Sequence, residues 1–258
     1  MTKPNLTDLE ELAYEAGGIL RLALAGDRQV YQKGVIDLVT DADHSSEDYL
    51  IKEISARFPG HTIVAEESGE LPGEGSEVWY IDPMDGTVNF AHGIPLFCVA
   101  IGYAESGKTK LGVVYDPIRE ECFSGELGRG ARLNGEPMRA TAQHNLDQSL
   151  LATEFGYDVR THPENNLDHY AYFALHSLGV RRIGSAALDL CYVACGRFDG
   201  YWELRVKPWD LAAGGLIAQE AGARVTKIDG DTDYVTPPCS VLAAGEGIYP
   251  EMWEILRR

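Results

Sequence analysis

The stretch Val78 to Phe90, "VWYIDPMDGTVNF", sets two aspartates three positions apart between apolar runs and places a proline and a glycine among them. Val78 to Ile81 has strand composition, Pro83 stiffens the exit, and Gly86 permits a turn into a short helix over Thr87 to Ala91. This reading delivers Asp82 at the end of a strand. It aims both carboxylates and the N–H groups of Gly86 and Thr87 at one spot. Carboxylates attract a cation and helix-start amides attract an anion, so a metal-bound phosphate satisfies both. Standing alone, a D-x-x-D-G would be an ordinary capped turn. Two more acidic stations keep it company: Glu66-Glu67 closes a strand-like run, His61 to Ala65, and Trp209-Asp210 opens an Ala/Gly-rich helix, where Asp210 is also a credible N-cap.

Working outward, Leu6 to Leu24 carries one apolar stripe at helical spacing, with Thr7 and Glu10 as a possible capping box. A second helix is expected over His44 to Phe58, ended by Pro59-Gly60. Strands at Val78 to Ile81, Leu96 to Ala104 and Leu111 to Tyr115, with Glu105-Ser106-Gly107 as a turn, read as an antiparallel meander. After Ser149 the grammar changes. Strands over Ser149 to Glu154, Val180 to Ile183 and Gly200 to Leu204 alternate with helices over Pro163 to Leu178, Ala186 to Cys195 and Leu211 to Ala221, which implies α/β layering. With no repeat and no long linker, residues 1–258 read as a single domain. Its subdomain seam falls near 141–149, between an N-terminal α+β lobe and a C-terminal α/β lobe.

The chain has 258 residues, 40 acidic against 22 basic, and a formal charge of −18. That balance disfavours nucleic-acid binding, which neutralises phosphates with Lys and Arg, and an acidic protein handling an anionic substrate imports positive charge as divalent metal. No run approaches the roughly 18 apolar residues of a membrane span and Met1 to Glu10 is unlike a signal peptide, so a cytoplasmic location is expected. Five cysteines without a CxxC pair read as reduced, buried thiols. Four oxygen ligands, one from Glu66-Glu67 together with Asp82, Asp85 and Asp210, with no zinc-type cluster, fit Mg²⁺. The chemistry suited to them is phosphoryl transfer to water, that of a phosphatase.

Asp82-Pro83-Met84-Asp85-Gly86-Thr87-Val88-Asn89-Phe90, Ala65-Glu66-Glu67-Ser68 and Trp209-Asp210-Leu211-Ala212-Ala213-Gly214 resemble, in order and spacing, the motifs of the inositol monophosphatase family. The resemblance spans nearly the whole chain. It implies the layered αβαβα sandwich of the inositol monophosphatase and fructose-1,6-bisphosphatase type. It also implies two or three Mg²⁺ held by Glu66, Asp82, Asp85, Asp210 and the backbone oxygen of Met84. The resemblance further implies that Thr87, hydrogen-bonded to an aspartate of an upstream D-x-V-T-x-x-D segment (Asp37 to Asp43, the partner being Asp43), would help Glu66 to activate water. The Gly86 and Thr87 amides steady the phosphate. Gly184, Ser185 and Ala186, with serine in place of the family threonine, and Glu203 resemble its substrate-hydroxyl contacts. Lys33 resembles a lysine near the metals, at looser spacing.

On this resemblance the expected activity is Mg²⁺-dependent hydrolysis of a small phosphorylated polyol, inositol monophosphate first. Fructose-1,6-bisphosphatase, histidinol-phosphatase and 3′-phosphoadenosine 5′-phosphate phosphatase are the enzyme alternatives, and the short segment between Glu66 and Asp82 keeps the first of these in view. A partner protein of transcription complexes is the non-enzyme alternative. A homodimer is expected by resemblance alone. Two other signals fail. Asp229 to Asp233 begins like a calcium loop, but Tyr234 and Ser240 occupy the positions of its glycine and glutamate. Gly128-Arg129-Gly130 lacks the last glycine of a dinucleotide fingerprint, Leu133 standing there. His44 and His92 lie near site segments without helical partners and read as surrounding or surface residues.

Overall fold

The computed structural model describes residues 3–26, 30–32, 34 and 38–258. Among them run α1 (Leu6–Leu24), β1 (Val30–Gln32), β2 (Leu38–Thr40), α2 (Asp41–Arg57), β3 (Thr62–Ala65), β4 (Gly69–Leu71), β5 (Glu77–Asp85) and α3 (Thr87–Ala91). A meander follows: β6 (Cys98–Glu105), β7 (Lys108–Asp116), β8 (Glu121–Glu126), β9 (Gly130–Leu133) and β10 (Glu136–Pro137). After an irregular run and one 3-10 turn at Leu146–Gln148 come β11 (Leu150–Thr153), α4 (Leu167–Leu175), β12 (Gly179–Arg181), α5 (Ala186–Ala194) and β13 (Gly200–Val206). The chain closes with α6 (Pro208–Glu220), β14 (Ala223–Thr226), β15 (Cys239–Gly245) and α7 (Tyr249–Leu256).

Eight strands form one sheet in the order β10-β9-β8-β7-β6-β5-β3-β4, and five form another in the order β12-β11-β13-β15-β14. Strands β5 to β10 are antiparallel neighbours throughout, while β3 joins β5 in parallel. Both faces of both sheets are covered, so the central strands are apolar on both sides instead of alternating with polar residues. Along β6, Val99 and Ile101 pack beneath α1 and α2, whereas Cys98 and Ala100 face α5 and α6 in the middle layer. Along β13 and β15, Tyr201, Val241 and Ala243 face that same layer, and Trp202, Leu242 and Ala244 face α4 and α7. The order is helix, sheet, helix, sheet, helix, the αβαβα layering that the resemblance implies.

The middle layer is thin where α6 crosses the large sheet. A Cβ on Gly102 would stand 2.7 Å from Ala212 Cβ, and one on Gly112 would stand 2.8 Å from the Ala213 carbonyl oxygen. These two glycines face one another across β6 and β7. They form a bare track on which the Leu211-Ala212-Ala213 turn of α6 rests, directly after Asp210.

Several boundaries differ from the sequence reading. Helix α1 is capped by Asn5 with Asp8 and not by Thr7 with Glu10; the box forms two residues earlier. Helix α2 starts at Asp41 and not at His44, since Thr40 caps it and Asp43 completes its box. Strand β5 runs on through Asp85. Helix α4 is shorter than expected, beginning after Asn166, whose side chain is tied to Thr153, Glu154 and Trp202. Helix α6 begins at Pro208 and not at Leu211, which puts Asp210 inside its first turn instead of at its cap. Strands β1, β2, β4, β8 to β10, β14 and β15, and helix α7, are additions to the sequence reading.

Candidate active site

Two aspartates three apart on a straight strand would point to opposite faces. In β5 they do not, because the ladder with β6 pairs Asp82 with Ala100 and Asp85 with Cys98. Three steps on one strand are matched to two on the other, which is a β-bulge. Directly opposed residues share a face, and Ala100 and Cys98 both face the middle layer, so both aspartates do too. The bulge is also where a proline is tolerated within a sheet, since Pro83 has no N–H for the ladder. It is pinned from two sides: Ser46 Oγ donates to the Pro83 carbonyl at 2.9 Å, and the Met84 amide donates to Asp82 Oδ1 at 2.9 Å.

Asp82 is 2% exposed, and burial together with the neighbouring charges of Glu66, Asp85 and Asp210 holds its carboxyl well above the ordinary carboxylate range. Asp210 is raised by burial and by Asp85; its Oδ2 accepts the Lys207 amide at 2.9 Å, and its side chain lies in hydrogen-bonding contact with Asp82. Asp85, pushed up to about 6 by burial, has Oδ2 engaged twice, by the Ser185 hydroxyl and the Ala187 amide, each at 2.7 Å. Glu66, partly exposed, follows β3 with its amide on the Ile81 carbonyl. The large sheet and α6 thus bring four acids together, and none of the leading influences on Asp82 is a cation. The donor set is all hard oxygen, and its mutual repulsion is of the kind a divalent cation relieves; on that chemistry the residues fit Mg²⁺. Among the described residues no three His, Cys, Asp or Glu side chains stand so placed that together they could hold a metal ion, so this fit rests on donor type and burial alone.

Beside this group stands a hydroxyl with a directed proton. Thr87, 8% exposed, donates Oγ1–H toward Asp43 Oδ1 at 2.9 Å and the Met84 carbonyl at 3.1 Å. The other Asp43 oxygen accepts from the Thr40 amide at 2.8 Å and the Thr40 hydroxyl at 2.6 Å. Burial raises the Asp43 carboxyl against the pull of these donors. With its proton so directed, Thr87 presents lone pairs to whatever lies in front of it. Gly86 caps α3 in the left-handed region, φ 106°, where a Cβ would strike the Leu96 carbonyl.

The substrate-side residues are less uniform. Ser185 caps α5 by accepting the Leu188 amide at 3.3 Å and gives its proton to Asp85, leaving only acceptor capacity for a ligand. Ala186 is buried and Gly184 lies on the surface. Glu203, which strand periodicity alone would turn to solvent, is 6% exposed, accepts the Tyr201 hydroxyl at 2.6 Å and is pushed by burial up to about 8. His44 and His92 are exposed. Cys98 and Cys191 sit in the middle layer, all five thiols are free, and Asp229 to Asp233 forms a surface turn. Lys33 and Asp37 lie outside the described residues.

Four neighbours escaped the sequence reading. Glu47 accepts the Glu67 and Ser68 amides at 2.9 and 2.8 Å and holds the turn after Glu66. Asn89 Nδ2 bridges the Leu96 and Ile183 carbonyls at 2.8 and 2.7 Å. Glu154 follows β11, and Asp189 lies in α5 with neither carboxyl oxygen hydrogen-bonded. The available signal for Glu154 was the one that drew notice to Glu66, an acid closing an apolar strand.

Residues 3–257 match the model of the inositol monophosphatase family. The chain is 43% identical over 221 residues to the Nus factor SuhB of Vibrio cholerae, covering 85% of this chain and 83% of that protein. It is 46% identical over 204 residues to the inositol-1-monophosphatase of a Synechocystis species, covering 78% and 71%. Its fold superposes on the structure of inositol monophosphatase from Anabaena with a TM-score of 0.89 at 40% identity, over 98% of this chain and 94% of that one. Sequence match, fold and grouped acids agree, and the chain belongs to the inositol monophosphatase family.

Proposed function

We propose that this phosphatase hydrolyses the phosphate monoester of a small polyol, inositol monophosphate first, with Mg²⁺ bound by Glu66, Asp82, Asp85, Asp210 and the Met84 carbonyl. The observation that carries the reading is the β5 bulge, which turns Asp82 and Asp85 to one face beside Asp210 while Thr87 is held on Asp43. When bound, the ions neutralise phosphate charge and make water a better nucleophile. Thr87 and Glu66 orient the attacking water and take up its proton, Thr87 releasing its own hydroxyl proton to the Asp43 carboxylate it is bonded to, so that Asp43 acts through Thr87. The Gly86 and Thr87 amides face the phosphate; Glu203, Ser185 and Ala186 receive hydroxyls of the leaving polyol.

The test is phosphate release from inositol 1-phosphate, fructose 1,6-bisphosphate, histidinol phosphate and 3′-phosphoadenosine 5′-phosphate, each with Mg²⁺ and with EDTA. Preferred release from inositol 1-phosphate that EDTA abolishes is the expected result; release indifferent to EDTA overturns the metal assignment, and preference for another ester replaces the substrate. The V. cholerae relative named a Nus factor favours a second reading, a role in transcription complexes alongside catalysis. Retention of RNA polymerase components by the immobilised chain tests it. No helix among the described residues is long and apolar enough to cross a membrane. We take the chain to act in the cytoplasm as a homodimer, which light scattering checks.

A further inference from the structure

The residue after β11, Glu154, is 7% exposed and has no part in the chemistry above. Its Oε1 accepts the Gly184 amide at 2.5 Å, and its Oε2 pairs with Arg182 Nε at 3.0 Å. The Arg182 guanidinium in turn leans over the Phe155 ring, 5.5 Å from its centroid. From the opposite side Asn89 of α3 donates to the Ile183 carbonyl. The backbone at 183–184 is thereby gripped twice, once by each sheet's side of the molecule. The next donors along it, the Ser185 hydroxyl and the Ala187 amide, both land on Asp85 Oδ2. A carboxylate with one oxygen held by two donors cannot swing, and its other oxygen points one way.

We propose that Glu154 is a positioning residue: by holding the Gly184 amide it sets the strap 183–187, and through that strap the direction in which Asp85 offers Oδ1 to a divalent cation. Burial, with a smaller push from Asp85, raises the Glu154 carboxyl to about 7 despite the pull of the Gly184 amide and the Arg182 guanidinium. The role is therefore one of reach. Glutamine keeps the reach and one acceptor oxygen for the Gly184 amide while giving up the charge and the Arg182 pair; aspartate keeps the charge and falls one methylene short of Gly184. The proposal rests on the ion reading above for the identity of the ligand.

The experiment is titration calorimetry of Mg²⁺ into the substrate-free protein for wild type, Glu154→Gln and Glu154→Asp, with the ion-free Tm of each. Glu154→Gln should bind within about twofold of wild type and Glu154→Asp about tenfold more weakly, a loss typical of an outer hydrogen-bonding partner. A role through charge reverses that order. A merely structural role lowers the ion-free Tm and leaves affinity alone. Either result overturns the proposal, as does equal binding by all three. If Glu154→Asp does not fold, Asn89→Ala, which releases the other grip, should weaken Mg²⁺ in the same direction, and unchanged affinity there counts against the strap. A wild-type chain that takes up no Mg²⁺ overturns the ion reading and this role together, whereas wild-type binding with unaffected variants overturns this role alone.

Discussion

Asp82 and Thr87 have neighbours that make their substitutions informative. Asp82→Asn keeps shape and hydrogen bonding while removing a charge wanted only by a cation, so turnover should fall on the order of a thousandfold or more with the thermal transition intact; near-normal rates in a folded variant refute the assignment. Thr87→Ala should cost about 10²–10⁴-fold, as loss of a positioned proton acceptor does. If Asp43 acts only through that hydroxyl, adding Asp43→Asn to Thr87→Ala should cost little more, and full additivity in a double-mutant cycle argues for separate roles. Asp189 is the counter-case. Wholly buried, with both oxygens unbonded, its carboxyl is held far above the ordinary range by burial and by Glu154, Asp85 and Glu203. Asp189→Leu should stabilise the fold by about 1–3 kcal/mol at pH 7, visible as a higher Tm; a lower Tm would mean that the carboxyl has an unseen partner. At this scale the metal-type acids and Thr87 were legible because their motifs pair chemistry with turn residues. Glu47, Glu154 and Asp189 were not, because an acid on a helix or at a strand end looks solvated until the opposite layer is placed over it.

Among elements, the bulge was the hidden step. Period-two reasoning sends Asp82 and Asp85 to opposite faces, and only the register against β6 reveals the extra residue that reunites them. Short strands such as β9, β10 and β14 were missed because each is defined by its neighbour and not by its own few residues, whereas α1, with a full apolar stripe, has the ends read from the sequence, Leu6 and Leu24. The α6 crossing shows how an element carries a site. On the Gly102 and Gly112 track, a methyl at position 112 would meet the Ala213 backbone at 2.8 Å, and backbone cannot rotate away. Gly112→Ala should therefore cost about 1–3 kcal/mol of stability and, by lifting the first turn of α6, weaken Mg²⁺ binding as well. Calorimetry and a melt on the same sample check both; a stable variant with wild-type affinity would show that the layer yields.

For the whole molecule, the acids of the middle layer set a pH dependence. Asp85 at about 6, Glu154 at about 7, Glu203 at about 8, and Asp82, Asp189 and Asp210 all lie above the unfolded range near 4. The native chain then binds more protons than the unfolded one across that window, so ion-free stability is greatest on the acid side and falls as pH rises from about 4 to about 8. Mg²⁺ should flatten the slope at its alkaline end by stabilising the ionised native form; a Tm that rises with pH in EDTA overturns this. The same layer holds Cys98 and Cys191, both at 0% exposure, Cys98 against the Ser185 hydroxyl at 3.6 Å. Burial pushes both thiols up, which makes them poor nucleophiles while the sheets stay closed. A thiol reagent in excess would therefore label them at the rate at which the layers part, so the chain carries a native clock for its own opening, read by mass spectrometry.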